Sequence, residues 1–360
     1  MSSTRTSPPF RSPRPSRAGR RAVPAIGAAV VLLHLIGWGA LLGLAAGAGP
    51  GGDGLLVGLG LSAYALGVRH AFDADHIAAI DNATRALMAR GRESAATGFW
   101  FALGHSSVVL LSVLLLALGV EVFAGGLADE GSGLRRAAGL WGGTVSGLFL
   151  LTAGLLNLAV LLRLRRAHSS ARAGALGPAE LDAHLDGRGL LHRLLHPVTR
   201  VVDRPARMYP VGLLFGLGLD TAASIVLFVM AGGLAPDLPW YAVLVLPVLF
   251  TAGMTLFDSA DCILMHRVYG WAGVDAHRTL EYNLTVTTVS VAIAFVIGGT
   301  SLLSVAAELL QQAGGPLAAV AAVDLNILGI GVLAFFVLSW LAARLVERVR
   351  RDGDPLPVRG

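Results

Sequence analysis

The 360 residues are 54% hydrophobic and only 14% charged, with a mean hydropathy of +0.68. Soluble domains carry about a quarter charged residues, so an ordinary water-soluble fold is excluded and lipid is the implied solvent. The net charge is +5, and all 28 basic residues are arginines placed at the ends of apolar runs, a membrane pattern rather than a nucleic-acid patch. Cys262 stands alone, which excludes an intramolecular disulfide and a thiolate metal cage.

Taken in chain order, residues 1–22 are rich in Ser, Pro and Arg and read as a disordered cytoplasmic tail. The apolar run that follows is longer than the 7–15 residues of a secretory signal. A spanning helix needs about 20 mostly apolar residues. Eight stretches qualify, at about 24–48, 54–80, 98–122, 138–162, 209–233, 239–265, 283–309 and 318–343. The expectation is an all-α polytopic membrane protein. Residues 23–162 hold helices one to four, 163–208 a cytoplasmic hydrophilic loop, 209–344 helices five to eight, and 345–360 a second cytoplasmic tail.

Arginine placement sets the orientation. With both termini cytoplasmic, the inner segments take 25 of the 28 arginines, counting Arg85, Arg90 and Arg92 in the loop between helices two and three. The outer loops take only Arg135 and Arg136, and Arg69 lies within a span. An odd number of spans would destroy this asymmetry. A prokaryotic cytoplasmic (inner) membrane is the expected location.

Ionisable groups inside spans are costly and mark function. The second stretch holds Arg69, His70, Asp73, Asp75, His76, Asp81 and Asn82; the third holds His105 beside Ser106 and Ser107. Asp220 lies in the fifth, and Asp258 and Asp261 in the sixth. Left alone, the six aspartates would cost on the order of 18 kcal/mol at about 3 kcal/mol each. Partners, water or a cation must meet them. A mixed His/Asp donor set favours a borderline divalent transition ion over magnesium, which prefers oxygen, or copper(I), which prefers sulfur.

At 3.6 residues per turn, His70, Asp73 and His76 share one broad face, while Asp75 lies about 140° from His70. His70, Asp75 and His76 can grip one ion only if the helix is locally distorted, as ion-site helices of secondary transporters often are. Otherwise Asp75 acts behind the ligands or toward another helix. Asp73 reads as a ligand or as the charge balance of Arg69, and His105 as a ligand or an interhelical hydrogen-bonding group. Asp220, Asp258 and Asp261 read as pathway residues or internal anchors. Asp81 and Asn82, near the helix end, read as caps or an ion gate. Gly58, Gly60, Gly67, Gly104, Gly216 and Gly218 suit close helix contact.

The run Arg69-His70-Ala71-Phe72-Asp73-Ala74-Asp75-His76-Ile77 resembles the signature of the nickel/cobalt transporter (NiCoT) family: a His, four residues, then Asp-His in the second helix. Gly104-His105-Ser106-Ser107, Gly218-Leu219-Asp220-Thr221-Ala222 and Gly253-Met254-Thr255-Leu256-Phe257-Asp258-Ser259-Ala260-Asp261 resemble its other motifs, in the expected order. The resemblance implies an eight-helix permease for Ni²⁺ or Co²⁺ with the second-helix motif binding the ion. This sequence departs from the family at Ala223 and Ser224, where a Thr and an acid are usual, at Ser259 for Thr, and at Cys262 for Gly. The missing acid bears on ion preference and affinity.

The expected function is therefore uptake of Ni²⁺ or Co²⁺ as a transported substrate, with the metal ion and the bilayer as partners and no cofactor. No phosphate-binding or nucleotide motif occurs, and nothing names an intracellular metal acceptor. Efflux by a similar fold is the alternative reading, and a metal-dependent membrane enzyme a more distant one, since the spans lack the multiple histidine boxes of a di-iron site.

Overall fold

The computed structural model describes residues 17–47, 52–88, 90–118, 131–172, 202–218, 241–271 and 276–311, with isolated positions at 129, 227, 315, 319, 329, 331, 334, 338 and 341. Every regular element among them is helical. They are α1 (Arg17–Gly47), α2 (Gly52–Ala71), α3 (Ala74–Met88), α4 (Thr97–Ala117), α5 (Gly133–Arg172), α6 (Met208–Gly216), α7 (Val245–Trp271) and α8 (Ala276–Leu309). Short 3₁₀ turns at Pro205–Arg207 and Ala242–Leu244 lead into α6 and α7.

Among the described residues five helices are long and apolar enough to cross a bilayer alone, and α2 with α3, bent by 54°, count as a sixth when the pair is taken as one broken span. Their lipid-type surface is visible in α1, where Val31, Leu32, Leu35 and Ile36 are all more than half exposed. Such a stripe of large apolar residues suits hydrocarbon rather than water. α6 is the described part of the fifth expected span. The eighth, 318–343, falls outside the described residues apart from single helical positions. Several boundaries differ from the sequence reading: α1 starts at Arg17, inside the stretch read as a disordered tail, α7 runs to Trp271 and α8 starts at Ala276. α5 continues ten residues beyond 162 into the stretch read as loop, and α3 continues to Met88. Arg85, counted above with the loop, is thereby buried inside the bundle.

Glycines set how closely helices approach. A Cβ on Gly67 would strike the Phe250 carbonyl, one on Gly104 the Tyr209 carbonyl, and one on Gly98 the Asp258 carbonyl. These positions bring α2 onto α7, α4 onto α6, and α4 onto α7 at backbone contact. Gly147 faces the Gly298 carbonyl of α8, 3.0 Å from its would-be Cβ, while Gly143 and Gly154 make room for the Val305 and Ala294 side chains. Gly58 differs from the expectation: nothing lies within 4 Å of its would-be Cβ.

The break between α2 and α3 follows from local hydrogen bonding. The backbone N–H groups of Phe72 and Asp73 donate to Arg69 and His70 carbonyls three residues back, both at 3.0 Å, tightening the last turn of α2. The Asp73 carbonyl then accepts from Ile77 at 3.2 Å, opening α3. Asp75 Oδ1 accepts from the His76 backbone N–H at 3.0 Å, satisfying one of the orphan donors of a helix start. Helical Gly329 packs against the break, where a Cβ would meet the Phe72 carbonyl.

Candidate metal site

The break carries three imidazoles to one point. His70 ends α2, His76 lies in the first turn of α3, and His105 sits mid-way along α4. Their ring centroids are 4.4 Å (His70–His76), 4.6 Å (His70–His105) and 4.8 Å (His76–His105) apart. One ligand nitrogen from each lies within 4.8 Å of the others. All three are deeply buried, with 1%, 1% and 5% of their surface exposed. Phe101 and Phe250 stand beside them at ring distances of 4.8 Å from His76 and 5.6 Å from His70.

Two carboxylates stand behind these rings, one at close contact with His70 and one beyond hydrogen-bond distance from His76. Asp73 Oδ2 is 2.7 Å from His70 Nδ1, and Asp258 Oδ2, from α7, is 3.7 Å from His76 Nδ1. A carboxylate on one ring nitrogen fixes the tautomer and raises the donor strength of the other. In His70 that other nitrogen, Nε2, lies 2.9 Å from His105 Nε2. Two lone-pair-bearing nitrogens this close share a proton, and a metal ion can take the proton's place.

The remaining sequence candidates fall around the cluster. Asp75 caps α3 and stands apart from the three-imidazole group. Arg69 is exposed. Asp261 keeps both carboxylate oxygens buried without a hydrogen-bond partner among the described residues. Asp81 is buried 3.9 Å from Arg85, and Asn82 donates to the Ala78 carbonyl at 2.8 Å. Asp220 lies outside the described residues. Buried hydroxyls of Ser106, Thr255 and Ser259 also lack partners among the described residues.

Several residues of this region were absent from the sequence reading. Asn157 of α5 donates to Asn82 Oδ1 at 2.7 Å. Arg85 donates to Thr287 and Ser290 of α8, both at 2.9 Å. The one sequence signal was the i,i+4 spacing of Asp81 and Arg85.

The family model described as "High-affinity nickel-transport protein" matches residues 56–346. The chain belongs to this family. It is a family of transport proteins, not enzymes, and the chain is accordingly a multi-pass membrane transport protein. Among curated members, the chain is 46% identical to the nickel transporter NicT of Mycobacterium tuberculosis, covering 92% of this chain and 91% of that protein. It is 38% identical to the nickel transporter NixA of Staphylococcus aureus, over 90% and 94% of the two chains. It is also 38% identical to the cobalt transport protein NhlF of Rhodococcus rhodochrous, over 97% and 99%. No solved structure matches the chain. Within the family's signature the structure puts His70 and His76 beside His105, a residue of a separate motif on a separate helix.

Proposed function

We propose that the protein takes up Ni²⁺, Co²⁺ or both across the cytoplasmic membrane, passing each ion through the His70–His76–His105 cluster. The observation that carries this is the convergence of three buried imidazole nitrogens within 4.8 Å, from three helical segments of a membrane bundle. Imidazole suits late first-row divalent ions. The relatives named for nickel and for cobalt transport narrow that class to these two.

The distances support an ion of this kind. Donors about 2.05 Å from a metal and 90° apart are about 2.9 Å from one another, and opposed donors about 4.1 Å. His70 and His105 already have the first spacing at 2.9 Å. A span of 4.8 Å exceeds the second, so the cluster contracts slightly around its substrate. His70, His76 and His105 act as ligands. Asp73 and Asp258 orient His70 and His76 and offset the ion's charge, and Asp261 and Asp81 offer carboxylates further along α7 and α3. Asp75 holds the start of α3 in place, and Asp220 is a further pathway acid.

Eight spans with both termini cytoplasmic complete the proposed topology. The cytoplasmic loop lies between α5 and α6, and the second tail follows residue 344. The two charges of the ion gain about 4.6 kcal/mol per 100 mV on moving to a negative interior, which favours import without a nucleotide. The test is uptake of radiolabelled nickel by cells expressing His76→Ala or His105→Ala. Uptake should fall at least about tenfold with membrane abundance unchanged. Uptake at the unmodified level in either variant overturns the assignment, and protection of cells against added nickel, instead of sensitisation, overturns the direction.

A further inference from the structure

The three imidazoles come from helices that pack into the bundle in different ways. α1, α2, α4, α6 and α7 form one packed group, in which glycines hold backbones in contact: Gly67 on Phe250, Gly98 on Asp258, and the reciprocal pair Gly104 on Tyr209 and Gly212 on Phe101. α5 and α8 form a second group, sealed along Gly143, Gly147, Gly154 and Gly298. Helices at backbone contact cannot slide without collision, so each group is internally stiff.

α3 sits between them, and its contacts with the two groups differ in kind. Toward α5 and α8 it is fastened by directed hydrogen bonds: Asn157 Nδ2 to Asn82 Oδ1 at 2.7 Å, and Arg85 to Thr287 and Ser290 at 2.9 Å each. All of these side chains are buried. In an apolar surrounding such bonds are expensive to break without water to replace them. Toward α4 and α7 no hydrogen bond shorter than 3.5 Å joins the described side chains: His76 approaches Asp258 at 3.7 Å and packs its ring on Phe101 and His105. Ala74, Ala78, Ala79 and Ala83 share an apolar cluster with Phe101 and Cys262 as well as with Leu150 and Ile297 of the other group, and Thr84 Oγ1 is 3.5 Å from Cys262 Sγ. Alanine faces present little relief to resist sliding. The backbone between α2 and α3 is already interrupted at Phe72 and Asp73, with a 54° bend.

We propose that Arg85 and Asn157 are positioning residues that tie α3, and with it His76, to the α5–α8 group, and that this unit turns about Phe72–Asp73 against the group carrying His70, His105 and Asp258. The substrate cluster straddles the boundary. Turning one way closes the imidazoles on the ion; turning the other way draws His76 from its two partners and breaks the site open. This deepens the transport reading above and rests on it, since it supplies the motion that carriage needs.

The kinetic consequence separates positioning from ligation. Asn157→Ala touches no imidazole, so it should lower maximal nickel uptake about tenfold and leave KM within about threefold. An unchanged maximal rate, or a KM raised as much as by His76→Ala, contradicts the role.

Cross-linking then tests the division itself. Thr84→Cys faces the native Cys262 across the sliding boundary. In a Cys262→Ser background, Gly154→Cys with Ala294→Cys forms a pair inside the α5–α8 group, where the Cβ positions are 3.1 Å apart. Each variant is its own control in reductant. Oxidising the first pair should cut uptake at least tenfold and reductant should restore it. Oxidising the second should leave uptake within twofold. Continued uptake with residues 84 and 262 joined, or loss with 154 and 294 joined, overturns the proposal. On purified protein, saturating Ni²⁺ should change the oxidation rate of the first pair severalfold and leave the second unchanged; equal responses overturn the two-body division. If the unmodified protein failed to raise cellular nickel, the import reading would fall, and these rates would still decide the division.

Discussion

Replacing Asp73 probes the ion site without removing a proposed ligand. Its carboxylate lies 2.7 Å from His70 Nδ1, and its side chain is 16% exposed while that of His70 is fully buried. Asp73→Ala takes away the group that sets the tautomer of His70 and leaves the ring free to turn from His105. Losing such a partner typically costs 10–100-fold in metal affinity, or about 1.4–2.7 kcal/mol. A hydrogen bond to a charged acceptor gives a similar figure, about 1.5–3 kcal/mol. Partial exposure lets water stand in for the lost oxygen, which places the expectation at the lower end, roughly 10–30-fold. Asp73→Asn keeps an accepting oxygen and loses only the charge, so about 3–5-fold is expected. Initial rates of radiolabelled nickel uptake over a concentration series should show these as increases in KM with little change in maximal rate. A KM within twofold of the unmodified protein in Asp73→Ala would refute the reasoning. So would a fall in maximal rate at constant KM, because Asp73 would then govern motion rather than the affinity of His70.

Two further substitutions test packing and the buried cation. Gly67→Ala drives a methyl into the Phe250 carbonyl and should cost about 1–3 kcal/mol or more, seen as lower membrane abundance, while Gly58→Ala on the same helix meets open space and should leave abundance unchanged; equal effects would refute the helix contact. Arg85→Lys cannot reach both Thr287 and Ser290 with a planar fork, so it should behave as Arg85→Met within about twofold in maximal uptake, and full rescue by lysine would show that charge alone matters.

The sequence made the apolar spans legible because lipid requires long uninterrupted runs, and the described helices overlie the first seven of them. The second-helix signature singled out His70 and His76 by type and spacing. What spacing left open was the path of the backbone between them. In a regular helix Asp75 points away from His70; the break at Phe72–Asp73 turns Asp75 into a cap for α3 and puts Asp73 against His70. His105 and Asp258 were legible as charged or polar oddities in apolar helices, but their pairing with particular histidines depends on how α4 and α7 pack through Gly98. Asn157, Thr287 and Ser290 gave no signal of their own. Single uncharged polar residues in long apolar helices look alike until a partner such as Asn82 or Arg85 is seen beside them. Arg85 was misplaced because a hydropathy window closes a span at the first cluster of polar residues, whereas α3 continues and buries the charge with hydroxyl partners.

X-ray absorption spectroscopy at the nickel edge, on purified protein loaded with one equivalent of Ni²⁺, tests the central claim most directly. The account predicts a first shell containing three imidazole nitrogens, falling to two in His105→Ala. A shell of oxygen donors without imidazole scattering, or one unchanged by His105→Ala, would contradict it.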